Sequence, residues 1–198
     1  MQVSNDLGTG VALFFIFIFI VLAAIFLIAL INYILISIAV YRIAKRRGID
    51  HAFLAWIPVA QNYLYAELIG TNVKVGNVTV PQYPWIYVGI VNGGTFLAGI
   101  IQNVSQLSSL NSLEQMSNYG HSIASNFGTM AASLIALALY LVITVVRIYT
   151  MYRVFKLFKG NTVLYTVLGS LILFAEPIIL LILSNKPFAE EPEAVPAA

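Results

Sequence analysis

Apolar positions run in long unbroken blocks along this chain, and polar positions gather between them. Val11 to Tyr41 is interrupted by little except Asn32, and Trp85–Gln102, Thr129–Met151 and Thr162–Ser184 form three further blocks. A helix that crosses the hydrocarbon of a bilayer needs about 20 residues. The pattern therefore predicts an all-α membrane protein with four spanning helices, over residues 11–41, 85–102, 129–151 and 162–184. The first run would reach about 46 Å as a helix, so it must tilt, curve or project beyond the bilayer.

Segment 52–70 is different. It holds Pro58, Gln61, Asn62 and Glu67. Pro58 removes a backbone donor and pushes Ile57 out of the helical region. The expectation is a short helix ending at Trp56, a break, and a second helix with Pro58 at its first position and Gly70 past its end. A broken helix lying in the interface, or dipping in and returning, fits this pattern. Trp56, Tyr63 and Tyr65, and Trp85 at the start of the next span, suit the headgroup level. Next, two alternating Val triplets, Val73-Lys74-Val75 and Val78-Thr79-Val80, flank Gly76-Asn77 and predict a small cytoplasmic β-hairpin. Asn103–Gly128 is rich in Ser and Asn and contains no Lys or Arg. Within it Val104, Leu107, Leu110, Leu113 and Met116 recur every third residue, which suggests a short helix. Asn77-Val78-Thr79 and Asn103-Val104-Ser105 match the glycosylation pattern. Residues 185–198, with Glu190, Glu191 and Glu193, read as a disordered acidic tail, leaving residues 1–184 as a single membrane domain.

Composition supports the membrane reading: 60% of the 198 residues are hydrophobic and 9% charged, against about 25% charged in soluble domains. The expected partners are the lipid bilayer and a membrane-protein partner or second copy. A net charge of +2 gives no reason to invoke nucleic acid. There is no cysteine, hence no disulfide, thiolate zinc site or thiol nucleophile. Charge also sets orientation. Asp6 precedes the first run while Arg42, Lys45, Arg46 and Arg47 follow it, the mark of a signal anchor with its N-terminus outside. With four spans, Lys74, Arg147, Arg153, Lys156 and Lys159 also fall on or near the cytoplasmic side, leaving Lys186 and the C-terminal tail outside.

Three stripes are candidates for the bundle interior. Ser133, Ala136, Tyr140, Thr144 and Arg147 share a face of the third span, and Thr162, Thr166, Gly169, Leu173 and Glu176 a face of the fourth. Gly89, Asn92, Gly93, Phe96 and Gly99 line the second, where the glycines would let helices approach closely. The plain reading is helix packing; the sharper one is a polar path for a solute or proton. Glu176 would lie about 21 Å from the cytoplasmic end of a straight fourth helix. Depth argues against Arg147 as its partner, because Arg147 would lie only about 6 Å into its own span and could snorkel to the surface. A Glu176–Tyr140 hydrogen bond with Glu176 protonated is one expectation. A carboxylate near the outer interface that meets water is the other.

Catalytic and metal motifs are lacking. His51 and His121 fall on opposite sides of the predicted membrane, Asp6 and Asp50 lie outside the spans, and no His-x-x-x-His, Gly-x-Ser-x-Gly or Walker-type loop occurs. No catalytic residue, metal or cofactor is assigned. One internal echo remains. Tyr41-Arg42-Ile43-Ala44-Lys45 parallels Tyr152-Arg153-Val154-Phe155-Lys156, and each is followed by a Gly and an apolar segment holding a Pro (Pro58, Pro177). A transporter-like duplication would look like this, as would two independent basic elbows.

The same elements carry a family resemblance. Tyr41–Lys45 with Ala55-Trp56-Ile57-Pro58, Asn62 and Tyr63-Leu64, and later Phe158-Lys159-Gly160-Asn161 before a Pro-containing helix, resemble a family of small bacterial multi-pass membrane proteins. The likeness covers residues 41–65 and 150–182. The long first helix, the Ser/Asn-rich loop and Glu176 depart from the family pattern. The resemblance implies this architecture and a location in a bacterial inner membrane, and carries no activity with it. The functional expectation is a structural or interaction subunit of a membrane assembly. The alternatives are a small transporter or channel subunit, or an accessory of a membrane enzyme.

Overall fold

The computed structural model describes residues 2–114, 119–172 and 174–189. The first apolar run becomes one continuous helix, α1 (Gln2–Arg46), with Lys45 and Arg46 in its last turn, where cations complement the helix dipole. Gly48, at φ 73°, turns the chain back on itself. A short 3-10 helix (Ala52–Trp56) follows, then α2 (Pro58–Glu67), with Pro58 at its first position, where the missing N–H costs no hydrogen bond. The break falls at Ile57, whose backbone is extended, as the sequence requires. β1 (Val73–Val75) and β2 (Val78–Val80) pair antiparallel in the register Val73↔Val80, with Gly76 at φ 61° in the turn. Tyr149 Oη donates to Lys74 O at 3.2 Å, which ties this hairpin to a later helix.

The second apolar run is one rod in three pieces: α3 (Tyr83–Val88), a π-helical stretch Gly89–Gly93, and α4 (Gly94–Glu114). It pairs along its length with α5 (Tyr119–Lys156). Of the triplet-spaced residues, Val104–Leu113 lie in α4, while Met116 lies outside the described residues. Three helices are long and apolar enough to cross a membrane: Val11–Arg46, Tyr83–Leu107 and Phe127–Lys156.

The fourth predicted span is not one helix. It divides into α6 (Thr162–Leu171) and α7 (Ala175–Leu183), which pack against each other. The chain leaves the helical region at Ile172, and Leu173 lies outside the described residues. Pro177 explains why a continuous helix is disfavoured here, since in mid-helix it would remove a hydrogen bond and clash with the preceding turn. In the first turn of a new helix it does neither. Each limb is about 15 Å long, half the hydrocarbon thickness. The two limbs fold back on each other. Arg46 donates to Ser184 O just past α7, Ala189 N donates to Leu157 O at 2.8 Å, and Phe158 bridges Phe188. Lys186 and the approach to the tail therefore sit at the basic end, contrary to the expectation that they lie on the opposite face. Residues 190–198 lie outside the described residues.

The 3-10 helix and α2 form a similar hairpin. Tyr33 Oη donates to Trp56 O at 2.6 Å at the apex, Gln61 donates to Ser37 Oγ at 3.1 Å part way down, and Arg47 donates to Leu68 O at the base. Tyr33 lies about 20 Å along α1 from Arg46. Trp56 and Pro58 thus sit at an apex about 20 Å along α1 from the basic elbow. Trp85, ring to ring with Tyr63 at 4.9 Å, lies in the first turn of α3. The sequence echo acquires a structural counterpart: after each basic elbow comes a broken helical hairpin whose second limb has a proline in its first turn.

The core sits at the basic end. Ala39, Val40, Ile43 and Ala44 of α1, Leu64 of α2, Val154 and Phe155 of α5, and Leu180 of α7 are fully buried together. Toward the other end α1 stands free: apart from half-buried Ile18, every residue from Val11 to Ile31 is exposed.

Candidate functional site

Where the two hairpins and the long helices meet, polar side chains from four elements converge. Arg147 lies nine positions before Lys156, the last residue of α5, hence about 14 Å from that end. Glu176 occupies the first turn of α7, about 11 Å from Leu183. The two depths match, and Arg147 Nη2 donates to Glu176 Oε2 at 3.2 Å. This overturns both sequence expectations for Glu176. Its carboxylate meets Arg147 and not Tyr140, and it is enclosed, with its side chain 11% exposed. The depth argument failed for two reasons. α5 continues past Met151 to Lys156, and the hairpin brings Glu176 back toward the basic end. Side chains on a helix also lean toward its N-terminus, which carries Arg147 away from the basic end and toward Glu176. Tyr140 is exposed on α5.

Tyr65 of α2 and Tyr87 of α3 complete the cluster. Both are buried, and both lie close enough to Arg147 and Glu176 to feel their charges. The Tyr65 hydroxyl is fully enclosed and faces the Glu176 carboxylate without a well-formed hydrogen bond among the described residues. Tyr83, one turn before Tyr87, bonds Thr150 Oγ1 at 2.7 Å, while Thr150 donates to Val146 O. Tyr83 is therefore the donor in that bond. Asn62 donates to Asn92 Oδ1 at 2.9 Å, and among the described residues Asn92 Nδ2 and Asn32 Oδ1 are buried without a partner. The π-helical stretch that contains Asn92 is a local widening of the kind often found at functional positions.

Of the residues singled out from sequence, Arg147 and Glu176 come together, and Asn92 joins the adjoining amide pair. Among the described residues, Gly89, Gly93 and Gly99 do not serve close packing, because a Cβ added at any of them meets nothing within 4 Å. Gly94 and Gly169 do: a Cβ would lie 3.0 Å from Ile143 Cδ1 at the first, and 3.3 Å from Met151 Sδ at the second. The inward stripe of α5 is likewise Ala136, Ile143, Thr150, Met151 and Val154, and not the face with Ser133, Tyr140 and Thr144. The sequence pattern assigned Tyr65 to the headgroup level and did not single out Tyr87. The spacing of Tyr83 and Tyr87, one helical turn apart, is the signal that could have found the second.

Elsewhere, His51 Nε2 meets Glu67 Oε2 at 2.6 Å at the base of the first hairpin. Burial lowers the pKa of Arg47 at the same elbow. No group of three or more His, Cys, Asp or Glu able to hold a metal occurs among the described residues. The cluster holds an enclosed carboxylate against a half-exposed guanidinium, with two buried tyrosines beside them. No family model, curated protein or solved structure matches the chain.

Proposed function

We propose that this protein is an interaction subunit of a membrane assembly, with three spanning helices and two re-entrant hairpins that open to the cytoplasm. One observation carries the reading. The most apolar stretch of α1 buries none of its residues inside the fold. A helix from Val11 to Arg46 would be about 54 Å long, against about 30 Å of hydrocarbon. Even with generous tilt, part of that surface extends beyond the acyl chains. Such surface is stable when another membrane helix covers it. In this arrangement the N-terminus lies outside, and every Lys and Arg except Arg147 lies at or near the cytoplasmic end, in keeping with the positive-inside rule.

The test replaces residues 11–25 by leucine, which preserves insertion but erases the surface pattern. The solubilised protein is then sized by native electrophoresis. A wild-type complex larger than the monomer that collapses to the monomer in the variant supports the proposal. A monomer in both cases, or an unchanged complex in the variant, refutes it.

A second reading, a small transporter or channel subunit, is favoured by the Arg147–Glu176–Tyr65 cluster, in which the carboxylate and the phenol are enclosed. Polar groups on broken helices at this depth are a feature of transport proteins. It requires that Glu176→Gln abolish proton or solute flux in proteoliposomes.

A further inference from the structure

The basic end holds a cavity of about 400 Å³ between the last turn of α1 and the end of α7, lined by Tyr41, Arg42, Lys45, Arg46, Ser184 and Asn185. Three of the lining residues are cationic and none is acidic. Arg46 is already fixed, because its guanidinium donates to Ser184 O and lies 4.8 Å over the Phe188 ring. The carbonyl that would repel an anion is thereby covered. Arg42 and Lys45 are exposed and enter no ion pair among the described residues. The Lys45 ammonium lies 6.0 Å from the Tyr41 ring centroid, at the margin of a cation–π contact. Asp50 lines a neighbouring cavity of about 330 Å³ on the other side of Tyr41 and Lys45, so the uncompensated charge is greatest on the α7 side.

Three cations around one cavity repel each other and favour a shared counter-charge. Position says what kind. The cavity lies where a long apolar helix ends in charge, the level of lipid headgroups. The helices that line it expose apolar surface on the way toward the membrane, including Ile34 on α1 and Ile178 and Ile182 on α7. A ligand that satisfies both surfaces has an anionic phosphate head and acyl tails. We propose that this cavity is a binding site for an anionic phospholipid. Arg42 grips the phosphate through paired N–H donors, Lys45 acts as a point charge, and the Asn185 amide offers a further donor. Free phosphate shares the head chemistry but makes no use of the apolar surface.

The experiment is native mass spectrometry of the full chain in detergent, titrated with phosphatidylglycerol or with phosphatidylcholine of the same acyl composition. We expect one phosphatidylglycerol retained at concentrations about tenfold or more below those needed for phosphatidylcholine. Arg42→Gln/Lys45→Gln should abolish the preference. Arg153→Gln/Lys156→Gln, which removes the same charge elsewhere on the basic end, should leave it intact. Equal binding of the two lipids to the wild-type protein overturns the proposal, and that comparison decides even if a variant fails to fold. Equal loss in both double variants also overturns it, because the attraction would then be diffuse. Displacement of the lipid by inorganic phosphate would reassign the cavity to a free anion.

Discussion

Arg147 and Glu176, 29 positions apart in sequence, form an ion pair at 3.2 Å between α5 and the first turn of α7. The pair exists because α6 and α7 are two limbs of a returning hairpin. A straight helix would carry Glu176 beyond the reach of Arg147. The bond is therefore a local probe of the global topology.

Removing one partner strands the other. Arg147→Leu leaves the enclosed Glu176 without its cation and is expected to destabilise the protein by about 1–2 kcal/mol, less than for a fully buried pair because the Arg147 side chain is 58% exposed. Adding Glu176→Gln should recover part of that loss, because the uncompensated charge is gone. Unfolding titrations in mixed micelles measure both. Additive losses in the double variant would contradict the pairing.

Tyr65 and Tyr83 make a contrast. Both are buried, but only Tyr83 has a well-formed hydrogen bond. Tyr83→Phe should cost about 0.5–1.5 kcal/mol, and Tyr65→Phe should be neutral or slightly stabilising. The same titrations compare them. A larger loss at Tyr65 would mean that its hydroxyl is satisfied within the cluster.

Glycine positions give a third test. Gly169→Leu forces a side chain into the space held by Met151 and the Glu176 backbone, and should cost about 1–3 kcal/mol. Gly89→Ala and Gly99→Ala meet open space and should change stability by less than about 0.5 kcal/mol. Thermal unfolding in detergent ranks the three. Sensitivity at Gly89 would indicate an intermolecular contact through that face.

Much of the architecture was legible in the sequence because it rests on local rules. Three helices long enough to cross a membrane follow from apolar length, the break at Ile57 from Pro58, and the β-hairpin from Gly76-Asn77 between valine triplets. The second hairpin was hidden for a physical reason. It breaks at Ile172 and Phe174, apolar residues that carry no turn signal, and the apolar run continues on both sides. Hydropathy reports that a segment prefers lipid, not whether it crosses or returns. The expected depth of Glu176 inherited that error, and its predicted partner with it. Tyr65 and Tyr87 reach the cluster only through tertiary packing of α2 and α3 against α5, which no spacing along one element reveals.

The returning hairpin is tested most directly by single-cysteine labelling, because the chain has no cysteine of its own. Cysteines at Thr71, Gln106 and Asn185 would each be probed in intact cells with a membrane-impermeant thiol reagent. Labelling at Gln106 alone, with Thr71 and Asn185 reached only after the membrane is opened, is the predicted result. Labelling of Asn185 from outside would mean that Thr162–Ser184 crosses the membrane, and would contradict the account.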